Sequence, residues 1–121
     1  MINLVLIGLG GSLGAISRFM INDFLKNLNF MMLPTGIMLV NIIGCFFIGI
    51  AMAQIIDHRS SIYFFIVVGF LGSFTTMSAF SEQTIEMLYN GKELVAFIYV
   101  IASITSCLIA TYLAYILFRA S

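Results

Sequence analysis

Charge is what this chain has least of. Five basic and five acidic side chains make up 8% of its 121 residues, against about 25% in an ordinary soluble chain. So few charges cannot cover a water-facing surface on a chain that is 62% hydrophobic and has a mean hydropathy of +1.15. The solvent is therefore a lipid bilayer. The net charge is zero, which leaves no electrostatic footprint for nucleic acid. There is one histidine, no H-x-x-x-H, no C-x-x-C and no pair of buried carboxylates beside a nucleophile, so nothing points to an enzyme. The two cysteines, Cys45 and Cys107, each sit in an apolar run outside any Cys/His cluster. They read as small buried hydrophobes and not as a disulfide or a metal pair. The single proline, Pro34, stands where it suits the first turn of a helix.

What the chain does have is long hydrophobic runs. A spanning helix needs about 20 mostly apolar residues, and four segments qualify: 2–24, 33–56, 62–89 and 94–118. Lipid forces the backbone to satisfy its own hydrogen bonds. One all-α domain of four transmembrane helices, residues 1–121, is the expected architecture. The opening "MINLVLIGLGG" has no positive n-region and no cleavage site, so it reads as the first membrane segment and not as a signal peptide. The linkers "KNLNFMM", "DHRSS" and "NGKE" are short, and Gly91 suits the residue just past a helix end. No repeat and no low-complexity tract interrupts the pattern.

The third segment is unlike the others. Within "GFLGSFTTMSAFSE", Gly72, Ser73, Thr75, Thr76 and Ser78 fall near the middle of an otherwise apolar span. One reading is a helix broken at "GSFTT", with carbonyls at the end of one half and N–H groups at the start of the next, the ends that bind cations and anions. The other is a continuous helix whose hydroxyls bond back to the preceding turn.

Elsewhere, polar groups and glycines mark contacts. Gly10 and Gly14 form a G-x-x-x-G, Gly11 and Ala15 a second small pair, and Gly36, Gly44 and Gly49 punctuate the second helix. Such faces let membrane helices approach closely. Asn41, inside "IMLVNIIG", is either an interhelical hydrogen-bonding residue or a donor facing an ion path. Arg18 either snorkels or guards an aqueous vestibule. Glu82 and Glu86 share a face near a helix end, where they either face a vestibule or are simply solvated. His58 reads as a solvated loop residue. Tyr99, Ser103 and Ser106 share one face of the fourth helix. That stripe either lines a hydrated path or joins helices.

Three motifs in order carry a resemblance. They are "GGSLGAISRF" (Gly10, Gly11, Gly14, Ala15, Arg18, Phe19), "PTGIMLVNIIGCFFIG" (Thr35, Gly36, Asn41, Gly44, Phe46, Gly49) and "GFLGSFTTMSAFS". Together, over nearly the whole chain, they resemble the CrcB/Fluc fluoride channels. The resemblance implies a passive, fluoride-selective channel exporting fluoride through the inner (plasma) membrane. It implies an antiparallel, dual-topology dimer with two pores. It also implies a structural sodium ion at the dimer axis, held by backbone carbonyls of Gly72 and Thr75 from both subunits. On this resemblance Asn41 is the pore asparagine and Arg18 the vestibule arginine. Phe80 is the second of two phenylalanines whose ring edges line the pore. Thr76, Ser78, Ser81, Tyr99 and Ser103 belong to the polar track. Fluoride is small and strongly hydrated, so donors and positive ring edges must replace its water.

The sequence departs from the family's T-T-F-S-T-F-S-x-E by reading "TTMSAFSEQ". Met77 stands where the first phenylalanine is expected, Ala79 replaces a threonine, and Gln83 replaces the glutamate. Methionine has no positive ring edge, so slower transport or one degraded pore is expected. Arg59 and Arg119 share one side of the expected topology, and Lys26 and Lys92 the other. That balance gives no fixed orientation and suits a homodimer that inserts both ways. The alternatives are a partner subunit completing a heterodimer with a homologous chain, which Met77 favours, and a small dual-topology transporter. The transporter needs a carboxylate deep in the first helix, and that helix has none before Asp23.

Overall fold

The computed structural model of the chain describes residues 1–25, 35–55 and 57–119. The expected linker at 26–32 with Lys26, the helix start at 33 with Pro34 in its first turn, and the helix end at Ile56 lie outside the described residues. Helix α1 runs Ile2–Leu25 and α2 Thr35–Gln54. Helix α3 covers residues 63–74, as wide π-type turns over Tyr63–Leu71 followed by one regular turn, Gly72–Phe74. Helix α4 is Met77–Tyr89 and α5 is Glu93–Arg119. The four helical segments α1, α2, α3 with α4, and α5 are each long and apolar enough to cross a membrane. Their described ends fall within two residues of the positions the hydrophobic runs predict. Leu9, Leu13, Phe19, Leu108 and Leu113 are more than half exposed or close to it. Apolar faces left open in this way belong against lipid.

The helices pack in two parallel pairs. Along α1 and α3, a Cβ on Gly10 would land on the Phe65 carbonyl, and a Cβ on Gly14 on the Phe70 carbonyl. From the facing side, a Cβ on Gly69 would sit 3.1 Å from the Gly10 Cα. Backbone therefore rests on backbone, which only glycine allows. The same advance in register takes Arg18 to Ser73. Along α2 and α5, Gly49 meets the Thr111 carbonyl and Ala114. Gly36 on α2 meets the Asn22 side chain near the end of α1, so α1 and α2 run antiparallel.

At the far end of α4, Gly91 has φ +77°. Lys92 N–H bonds the Met87 carbonyl at 2.9 Å and Gly91 N–H the Leu88 carbonyl at 3.1 Å. This is a Schellman end, which suits glycine because left-handed backbone clashes with a Cβ. Around it, Met87, Ala96 and a fully buried Tyr99 form one core cluster, with Met38, Phe80 and Val95 packed against it. In the turn ahead of α3, His58 is exposed and stacks on Tyr63 with ring centroids 4.8 Å apart.

Candidate functional site

The break in the third span is real and is built by substitution of hydrogen bonds. Thr75 (φ −78°, ψ 151°) and Thr76 (φ −145°, ψ 121°) are both extended. In a continuous helix, the Thr76 N–H would bond the Gly72 carbonyl and the Ala79 N–H the Thr75 carbonyl. Here Thr76 N–H donates to Asn41 Oδ1 at 2.8 Å. Ala79 N–H donates to Thr76 Oγ1 at 3.2 Å, the N-cap bond of α4. Two side chains have thus taken the donors that Gly72 and Thr75 carbonyls would receive in a helix.

The other bonds at the break hold it open. Asn41 Nδ2 donates to the Thr76 carbonyl at 3.1 Å, so one carboxamide serves both main-chain groups of Thr76. Arg18 Nε donates to the Ser73 carbonyl at 3.1 Å, a charge-assisted bond. Thr75 directs both its N–H and its hydroxyl at the Leu71 carbonyl. Its methyl lies against Gly44, where a Cβ would collide with it. The back-bonding expected of a continuous helix is therefore present at Thr75, but it terminates α3.

A cavity of about 290 Å³ opens beside the break. Helix α2 contributes Asn41 and Cys45 to its lining. The break and α4 contribute Thr75, Thr76, Met77 and Phe80. Helix α5 contributes Ser103 and Cys107, with Ile104 and Leu108. None of these side chains is charged. The α4 N-terminus, whose unpaired N–H groups carry partial positive charge, opens at Met77 on the lining. Ser103 is 5% exposed, and its Oγ has no hydrogen-bond partner among the described residues. A buried hydroxyl left unpaired costs free energy until something polar enters.

Of the residues singled out from sequence, Asn41, Thr75, Thr76, Met77, Phe80 and Ser103 meet around this cavity. Ser78 adjoins it through a 3.1 Å contact between its Oγ and Thr76 Oγ1. Ser81, Glu82 and Glu86 are exposed on α4. Tyr99 is fully buried, donates its hydroxyl to Gln83 Oε1 at 2.8 Å, and carries the Phe80 ring at 5.1 Å. Arg18 binds at the break without lining the cavity, and Gly72 is exposed on the chain's surface.

Cys45 and Cys107 correct the sequence reading. They are half-buried, not buried, and both line the cavity. The available signal was spacing, since each lies one helical turn beyond a singled-out residue, Asn41 or Ser103.

Comparison with known proteins places this geometry in context. The family described as CrcB-like protein, Camphor Resistance (CrcB) matches residues 5–115. The chain is 37% identical over 115 residues to a protein of Shewanella sp. (strain W3-18-1) named fluoride-specific ion channel FluC, covering 93% of each. A protein of the same name from Francisella philomiragia subsp. philomiragia is 38% identical over 119 residues, covering 93% of this chain and 91% of its own. One from Ruminiclostridium cellulolyticum is 34% identical over 111 residues, covering 89% and 85%.

Proposed function

This chain belongs to the CrcB family, and from that membership we propose that it is a passive, fluoride-selective channel that carries fluoride out of the cytoplasm. The observation that carries the proposal is the uncharged cavity beside the broken span. Among its groups still able to donate are the Ser103 hydroxyl and the first turn of α4, since the Thr75 hydroxyl is already given to the Leu71 carbonyl. Asn41 spends one Nδ2 hydrogen on Thr76 and keeps a second. The Phe80 ring adds a positive edge. Such weak, distributed donors strip water from a small anion and still release it. A fixed charge would hold it. Arg18, bonded to Ser73, raises the potential from outside the narrow part.

The freed carbonyls of Gly72 and Thr75 fit a structural sodium ion, since a hard cation takes several oxygen ligands. One chain brings two such carbonyls, so a second copy must bring the matching pair. An antiparallel homodimer with a pore in each subunit satisfies this. The exposure of Gly72 is consistent with it. A bound sodium ion would supply positive potential and pin the dimer.

Met77 on the cavity lining favours a second reading, a half-active subunit completed by a homologous partner. Liposomes containing only this chain test both. Fast fluoride efflux with little chloride efflux is expected. Absence of fluoride efflux from folded protein would overturn self-sufficient conduction, and rescue by a co-expressed homologue would then establish the partner reading.

A further inference from the structure

Fluoride conduction leaves two nucleophilic side chains on the cavity lining without a task. Asn41, Cys45 and Gly49 are spaced four apart on α2, and Ser103, Cys107 and Thr111 four apart on α5. The two stripes face each other in register. Asn41 and Ser103 border the same cavity, and Gly49 rests on the Thr111 carbonyl. Between those contacts Cys45 and Cys107 border the same cavity from the two facing helices. Thr111 Oγ1 donates to the Cys45 carbonyl at 2.9 Å, which fixes the Cys45 backbone one turn from Cys107. The thiols are thus set by two packed helices and reachable by any solute that enters the cavity. Met77 adds a third soft sulfur to the same lining, and among the described residues no carboxylate or amine competes there. Sulfur donors select soft monovalent cations over hard ones.

We propose that Cys45 and Cys107 form a soft-metal site in the cavity, where one Cu(I) or Ag(I) ion binds between the two sulfurs and stops anion passage. Each thiol gives its proton to water, two sulfur–metal bonds form, and no electron moves. Two thiolates and one monovalent cation leave a net charge of −1. The complex therefore repels an anion as well as occupying the cavity. Only the blocking half of the proposal rests on the channel reading.

The test uses the full chain, reduced and freed of reductant, in chloride-free buffer with silver nitrate. Silver fluoride is soluble, so silver leaves the transported ion in solution. Equilibrium dialysis should give one silver ion per chain. Cys45→Ser and Cys107→Ser should each weaken binding about tenfold or more, and the double variant should lose it. In liposomes, silver should arrest fluoride efflux of the wild-type chain, with recovery on adding excess dithiol. The block should need about tenfold more silver in each single variant, measured against that variant's own metal-free rate. Undiminished binding in the double variant, or no binding by the wild type, would overturn the site. Silver binding without arrest of an active channel would overturn the block. A wild-type chain that carries no fluoride before silver is added would sink the channel reading, while the dialysis still decides the site.

Discussion

Asn41 and Thr76 are joined by a two-point contact: Nδ2 donates to the Thr76 carbonyl at 3.1 Å and Oδ1 accepts the Thr76 N–H at 2.8 Å. The carboxamide acts as a short neighbouring strand for one extended residue, in a place where lipid offers no substitute. Asn41 thereby holds the broken span apart while bordering the cavity. Asn41→Asp replaces the donor by a negative charge. Fluoride efflux from liposomes should be abolished, and the midpoint of thermal unfolding in detergent should fall, reflecting about 1–3 kcal/mol. Unchanged efflux would remove Asn41 from the anion path.

The glycine contacts make a sharper stability forecast. Gly14→Ala drives a Cβ into the Phe70 carbonyl, which belongs to backbone and cannot swing aside. The expected cost is about 1–3 kcal/mol. Gly8→Ala, on the same helix, meets nothing within 4 Å and should stay within about 0.5 kcal/mol of wild type. Thermal unfolding of the two variants side by side checks this, and equal effects would contradict the close packing of α1 on α3.

Sodium should stabilise the assembled protein. If the Gly72 and Thr75 carbonyls hold the ion, replacing sodium by a bulky organic cation should lower the unfolding midpoint. The effect should grow with the logarithm of sodium concentration, reaching about 2.7 kcal/mol at a hundredfold excess over the dissociation constant. An unfolding curve indifferent to sodium would argue against the site.

Met77→Phe should speed fluoride efflux. A ring edge that lowers the barrier by about 1 kcal/mol would raise the rate roughly fivefold. Efflux measured against wild type decides it. A slower variant would mean that the flexible thioether already suits the path.

Tyr99→Phe should destabilise the protein by about 1–3 kcal/mol, because it strands the Gln83 carbonyl oxygen. Gln83→Leu combined with Tyr99→Phe should recover part of that loss in a double-mutant cycle. Additive losses would show that the two side chains are not coupled.

Much of this was legible in the residues themselves. Ten charges in 121 residues demand lipid, and four apolar runs set four spans, because span length and hydropathy are local quantities. The Asn90–Gly91 helix end was legible for the same reason, since left-handed backbone selects glycine within a few residues. The hydroxyl-rich "GSFTT" signalled a weak point but left a break and a back-bonded helix equally open. The tertiary structure decided between them, because the bond that competes with the helix comes from Asn41, 35 residues away. The wide turns over Tyr63–Leu71 also had no local signature, since their apolar run would serve a regular helix equally well. The pairing of Cys45 with Cys107 was hidden for the same reason. Each cysteine alone looks like filler, and only the register of α2 against α5 brings the two sulfurs to one cavity. The sequence by itself determined which segments must leave water. Packing between distant glycines decided which polar groups meet inside, because in lipid that choice turns on how closely backbones can approach.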